Sequence, residues 1–173
     1  MNEAINRENL SEQEPEVKIE TYSNEHKEEV IKLISGILEE EYGSKDKNRP
    51  DLENIPDVYQ KDNGNFWVAL NSEKLIGTVA IIDCGEKRGL LKRMYVDKEF
   101  RGKGAAAKLL ETLLEFAKSK EYKQIFLETV KSQPAPNKFY TKNGFKEIKA
   151  LPKELEKFQF SKLNDIFYEL DLE

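Results

Sequence analysis

The sequence predicts a mixed α/β fold, antiparallel in one half and with a parallel crossover in its middle. Two observations carry this. Phe66–Leu70 and Leu75–Ile82 are apolar runs on either side of Asn71-Ser72-Glu73-Lys74, a hairpin signal. The apolar strand Leu90–Val96 then leads through a glycine-bearing turn into a Leu-rich helix from about Gly104 to Ser119, and Gln124–Val130 is a further strand. A strand, helix and strand in that order make the crossover that parallel pairing requires.

The remaining elements follow in order. Val17–Thr21 reads as a first strand. Ser23 or Asn24 caps a helix whose apolar residues Val30, Leu33, Ile34, Ile37 and Leu38 keep a helical period. Gly43 to Pro56 is a polar breaker region with short helical turns at its edges. Trp67 belongs to the hairpin core, and His26 reads as an exposed residue early in its helix. Leu109, Leu110, Leu113, Leu114 and Ala117 form the core face of the long helix. Pro134 to Asn143 brackets a short helix, with Gly144 placed as a helix C-terminal glycine. Phe145–Ala150 and Asp165–Leu170 are two closing strands joined by a charged segment.

Composition narrows the function. The 173 residues suit one domain with a real core. Residues 1–16 are polar and hold five Glu and one Arg, −4 of the net −5, so they read as a flexible acidic leader ahead of a domain spanning 17–173. The near-neutral remainder has no concentrated basic face for nucleic acid. Cys84 is the only cysteine, which excludes an internal disulfide and suits a reducing compartment. Without a long apolar span or a signal-peptide core, a cytoplasmic protein without a membrane partner is expected, as a monomer or homodimer. No metal site is expected.

The turn Arg101-Gly102-Lys103-Gly104-Ala105-Ala106 carries the first chemical signal. Small residues leave the N–H groups at the helix start free to face outward, with the positive end of the helix dipole behind them, and such an end binds phosphate or pyrophosphate. No Gly-x4-Gly-Lys-Ser/Thr loop exists in the chain. Gly102, Gly104 and Ala107 fit a relaxed dinucleotide fingerprint, with Glu128 where a ribose-binding acid would lie. Yet five residues, Asp97 to Arg101, intervene after the strand, and an antiparallel hairpin precedes it, which speaks against a dinucleotide fold. By itself the turn also fits ordinary close packing.

Two separated motifs decide between these readings. Arg101-x-x-Gly104-x-Ala106, preceded by Met94-Tyr95-Val96-Asp97, resembles the acyl-CoA signature Gln/Arg-x-x-Gly-x-Gly/Ala of the GNAT superfamily of N-acetyltransferases. Phe139-Tyr140-Thr141-Lys142-Asn143-Gly144-Phe145 is similar to that superfamily's later Phe/Leu-Tyr-x-x-x-Gly-Phe. The resemblance covers about Val17 to Leu172 and implies a mostly antiparallel sheet of six to seven strands with a splayed parallel pair, flanked by helices. It further implies that main-chain groups near Met94, Tyr95 and Val96 hold the acetyl and pantetheine arm of acetyl-CoA. The N–H groups of Arg101, Gly102, Lys103, Gly104, Ala105 and Ala106 would hold its pyrophosphate.

The implied reaction is direct acetyl transfer to an amine, the acceptor being a small molecule or, alternatively, a protein amine. Neutralising an ammonium of pKa near 10.4 at pH 7 costs roughly 4–5 kcal/mol, so a base or a less polar site is needed. Tyr140 matches the tyrosine that often protonates the departing thiolate in that superfamily; packing alone would also explain it. Relatives with Glu-Leu-Lys-Arg ahead of Met-Tyr-Val carry a carboxylate where this chain has Leu90. Glu128 is therefore the candidate base, with a water chain or a structural pairing of Glu128 to Lys92 or Arg93 as alternatives. Gln133 stands where many members have Asn and can still offer an amide to the cofactor arm. The missing strand acid also leaves open a non-catalytic acyl-CoA-binding module. Glu39, Glu40, Glu41 and Tyr42 are candidates to attract a cationic amine, and Phe158 and Phe160 to wall its pocket.

Overall fold

The computed structural model describes residues 16–131, 134–159 and 166–172. Apart from Glu16, the acidic leader lies outside the described residues, as do Gln133 and Phe160. Seven strands form one sheet: β1 (Val17–Thr21), β2 (Asn65–Asn71), β3 (Lys74–Asp83), β4 (Arg88–Val96), β5 (Gln124–Thr129), β6 (Lys146–Ile148) and β7 (Ile166–Asp171). Their order is β1-β2-β3-β4-β5-β7-β6, and every neighbouring pair is antiparallel except β4 with β5. The last strand is thus inserted between β5 and β6, a pairing that local sequence pattern does not reveal.

Among the described residues five α-helices flank the sheet: α1 (Lys27–Tyr42), α2 (Pro50–Glu53), α3 (Ile55–Tyr59), α4 (Ala105–Ser119) and α5 (Pro134–Lys142). A 3₁₀ turn, Asn24–His26, precedes α1, and the Nδ1 of His26 accepts from the Ser23 N–H at 3.1 Å. Among the described residues no helix is long and apolar enough to cross a membrane.

Both faces of the central strands are buried, and their side chains alternate between two layers as a pleated strand dictates. Trp67, Val79, Ile81 and Leu91 meet Leu109, Leu110 and Leu113 of α4. Phe66, Val68, Ala80 and Ile82 meet Val30 and Ile34 of α1, Leu52 of α2, and Ile55 and Tyr59 of α3. The charged segment after β6 forms a 3₁₀ stretch, Lys153–Phe158, whose Leu155 joins Leu90, Phe126 and Leu151 in a smaller apolar cluster. Residues on the α4 face will be called the donor side and those on the α1 face the acceptor side.

Two glycines separate packing from propensity. A Cβ on Gly64 would lie 2.3 Å from the Tyr59 carbonyl oxygen and 2.8 Å from that of Ile81, while one on Gly36 of α1 would meet nothing within 4 Å. Gly64→Ala should therefore destabilise the fold by about 1–3 kcal/mol, since backbone must move. Gly36→Ala should stabilise it by up to about 1 kcal/mol. Urea unfolding of both variants checks the opposite signs.

Candidate active site

The site is made by two neighbouring strands that part. β4 pairs with β5 only at Arg88↔Gln124, Gly89↔Ile125 and Leu90↔Phe126. Beyond that point β5 keeps its other neighbour, with Leu127↔Tyr168, Glu128↔Phe167 and Thr129↔Ile166. β4 keeps β3 but with a register shift between Thr78↔Tyr95 and Ala80↔Lys92, so Arg93 and Met94 stand opposite Val79 alone. Such a bulge bends its strand and raises the local twist, which carries Leu91–Val96 away from β5. The bulge also changes the side-chain phase. Leu91, Met94 and Val96 face the donor side, whereas Leu90 and Tyr95 face the acceptor side. Met94, Tyr95 and Val96 thus lie where β4 has no strand beside it on its β5 edge.

The glycine turn closes the donor end of this opening. The Asp97 N–H donates to the Ile76 carbonyl at 2.7 Å, and the Asp97 carboxylate caps a short 3₁₀ turn through the Glu99 N–H at 3.0 Å. Gly102 and Gly104 then adopt φ of +75° and +89°, a left-handed conformation that favours glycine. Gly104 is the N-cap of α4, and a Cβ at either glycine would project into open space. The first N–H groups of α4 have no partner within their helix, so a dipole-backed donor set faces that space. Ala105 turns its methyl into the core, and Ala106 is half-buried. This cradle fits a pyrophosphate.

Basic residues in and just before the turn meet neighbouring groups of the protein. Arg101 donates through Nε to the Val96 carbonyl at 2.9 Å and through Nη2 to Glu41. Lys98 donates to Glu40 at 2.6 Å. Glu40 and Glu41, near the end of α1, are thereby paired with Lys98 and Arg101. Lys103 lies 5.8 Å from the centre of the Phe100 ring.

Tyr140 sits on the donor side, 6% exposed, with the rings of Phe145 at 5.7 Å and Tyr168 at 6.0 Å. Gly144, at φ +90°, ends α5 and lets the Phe145 N–H return to the Tyr140 carbonyl at 3.1 Å. The spacing of the Tyr140–Phe145 motif is therefore that of a helix end folding back onto its own aromatic anchor. Burial pushes the Tyr140 hydroxyl well above the ordinary tyrosine range, and Tyr95, Tyr42 and Tyr168 add to the shift.

Glu128 lies on the acceptor side of the opening, its side chain 2% exposed. Its Oε1 accepts from Lys92 Nζ at 2.6 Å and its Oε2 from Gln159 Nε2 at 2.7 Å. Of the two cations proposed from sequence as its partner, the structure places Lys92 there. Burial lowers the pKa of Lys92, and the Glu128 charge opposes that shift. Arg93 turns instead to α2. Its Nε and Nη2 donate to the Asp51 carboxylate at 2.8 and 2.7 Å, and Tyr59 donates its hydroxyl to Asp51 Oδ2 at 2.6 Å. Asp51 and Tyr59 went unseen in the sequence, because partners 42 and 34 residues from Arg93 leave no local pattern. Asn137 was missed as well; it accepts from the Tyr168 hydroxyl at 3.2 Å and donates to the Val130 carbonyl at 3.3 Å.

Among the described residues no cluster of His, Cys, Asp or Glu could hold a metal ion. Breaking the Lys92–Glu128 pair from one side should be costly. Lys92→Met strands a buried carboxylate and should cost about 3–5 kcal/mol, whereas Lys92→Met combined with Glu128→Leu should recover most of that loss. Thermal or urea unfolding of the cycle reads the difference.

Comparison with known proteins agrees with this geometry. The family model described as "Acetyltransferase (GNAT) family" matches residues 28–145. Human N-acetyltransferase 8B is 36% identical over 105 residues, 57% of this chain and 46% of the relative. N-acetylaspartate synthetase of Xenopus tropicalis is 39% identical over 102 residues, 58% of this chain and 38% of the relative. The chain thus spans less than half the length of these two relatives. The crystal structure of a GNAT-family acetyltransferase from Staphylococcus aureus Mu50 superposes with a TM-score of 0.84 at 33% identity, covering 91% of this chain and 100% of that one. The match spans both motifs and most of the domain between them: the chain belongs to the acetyltransferase (GNAT) family.

Proposed function

We propose that this chain is an acetyl-CoA-dependent N-acetyltransferase whose acceptor is the primary amine of a small molecule. The observation that carries the reading is the parting of β4 from β5 after Leu90 and Phe126, with the glycine turn at one end and Tyr140 on the donor side. Acetyl-CoA supplies the electrophilic acetyl thioester. The free edge of β4 at Met94–Val96 offers main-chain groups for the acetyl and pantetheine arm. The turn from Arg101 to Ala106 offers N–H donors for the pyrophosphate.

Each protein group then has a task. β4 aligns the acetyl carbonyl and polarises it with a main-chain N–H. The acceptor amine enters from the α1 side, where the Glu128 carboxylate takes up its proton, directly or through water, and Lys92 and Gln159 hold that carboxylate in place. As the new C–N bond forms and the C–S bond breaks, the electron pair goes to sulfur, and the Tyr140 hydroxyl donates a proton there. A neutral phenol is the form that can donate, and burial maintains it.

A small acceptor is favoured because α1–α3 and the segment 153–159 cover the acceptor side. N-acetylaspartate, which gives one of the relatives its name, bears its acetyl group on such an amine. The competing reading, a CoA-binding module without catalysis, rests on Leu90, which is fully buried among apolar side chains at the position where relatives with a Glu-Leu-Lys-Arg pattern carry an acid.

Release of CoA thiol across a panel of amino acids, polyamines, aminoglycosides and peptides separates the two readings. Turnover with a small amine is expected; tight acetyl-CoA binding without turnover on any member of the panel would favour the module. Tyr140→Phe should lower kcat by about a hundredfold or more with acetyl-CoA affinity retained. Gly104→Val should weaken acetyl-CoA binding in calorimetry, because the branched side chain would stand in the pyrophosphate's approach and strain a left-handed position.

The pH profile follows from the direction of the Tyr140 shift. Because its hydroxyl ionises above the ordinary range, the acid stays protonated through pH 10. The rate should climb as the amine loses its proton, without a falling limb near pH 10. A downturn there that vanishes in Tyr140→Phe would show an unshifted phenol.

A further inference from the structure

We infer that Asp51 and Tyr59 are positioning residues for acetyl transfer, acting through Arg93 to hold the bulge that aims the β4 main chain at the acetyl carbonyl. This rests on the proposed placement of acetyl-CoA along β4. It concerns residues of α2 and α3 that touch neither the turn nor the thioester in that placement.

The argument begins with strain. Arg93 has φ +53°, which a long side chain rarely adopts, and such a strained residue persists only where its surroundings over-determine it. Two sets of contacts impose it here. Its carbonyl accepts from the Thr78 hydroxyl at 2.7 Å, from the strand alongside. Its guanidinium is gripped at Nε and Nη2 by Asp51, a geometry in which both parallel bonds must align at once. Asp51 is in turn oriented by the Tyr59 hydroxyl at 2.6 Å. The pair is nearly enclosed, with Arg93 and Asp51 side chains 12% and 9% exposed and Tyr59 at 0%.

Stability alone does not account for this network. Replacing a buried ion pair by apolar residues of similar volume is often neutral or stabilising. Its location does account for it. Leu91 and Met94 both face the donor side, three residues apart, which an unbulged strand forbids. If Arg93 relaxed to an extended conformation, the phase of Met94–Val96 would invert relative to β3. The main-chain groups now turned to the opening would then turn with it. Asp51 thus ties the register of the catalytic strand to a helix on the acceptor side.

The test uses the full chain with Asp51→Asn and, separately, Tyr59→Phe, which removes only the outer hydrogen bond. Calorimetry measures the affinity for CoA and for acetyl-CoA, and steady-state kinetics gives kcat with an amine found by the panel. For Asp51→Asn, CoA affinity should stay within about twofold, because the pyrophosphate turn is untouched. The preference for acetyl-CoA over CoA should vanish, and kcat should fall about tenfold or more as the carbonyl loses its aligned donor. Tyr59→Phe should shift both quantities the same way by a smaller factor, and it decides alone if Asp51→Asn does not fold. A folded variant that keeps the wild-type acetyl-CoA preference and kcat overturns the inference. Wild-type protein that binds neither molecule, or both equally, overturns the placement of acetyl-CoA on β4 and the inference with it.

Discussion

The parting of β4 from β5 is the constraint on which the rest of the molecule depends. Parallel neighbours in a sheet ordinarily run together for their full length, since each residue left unpaired exposes an N–H and a C=O. Here three residue pairs are made, and then β5 follows β7 while β4 follows β3. The bulge at Arg93 is the local cause on the β4 side. The result is a sheet with an opening between donor and acceptor sides, edged by the main chain of β4.

What lines the opening follows from its two sides. Toward α4 the chain supplies small residues and helix N–H groups, suited to an anion and to an extended arm. Toward α1 it supplies paired charges, Lys92 with Glu128 and Arg93 with Asp51, that are internally neutralised and held by a second contact each from Gln159 and Tyr59. Glu40 and Glu41 hold Lys98 and Arg101, so the end of α1 and the turn on the donor side are joined by two ion pairs. Cofactor cradle and acceptor cover thus meet at the surface through solvent-exposed ion pairs.

Backbone-driven features were legible in the sequence, and side-chain partnerships mostly were not. The hairpin around Ser72, the apolar face of α4 and the helix-ending glycine at 144 arise from periodicity and local conformational preference, both of which a short window contains. The pairing of Glu128 with Lys92 was foreseen as one of several options, because both residues fall on strands already assigned. Asp51 lies in a stretch that reads as a polar breaker and Tyr59 just beyond it, and only the closure of α2 and α3 over the sheet turns them toward Arg93. The 3₁₀ stretch Lys153–Phe158 was hidden for a related reason: its charged surface masks the single buried Leu155 that anchors it. The order of β5, β7 and β6 likewise depends on long-range pairing.

Hydrogen exchange at the β4 amides tests the central claim most directly. If the unpaired edge of β4 receives the acetyl and pantetheine arm as an added strand would, saturating acetyl-CoA should slow exchange across Leu91–Val96 and at the first turn of α4. The Arg88–Leu90 amides, already within the paired part of the sheet, should change little. Protection confined to α4, or none at all on β4 in protein shown to be saturated, would contradict the account.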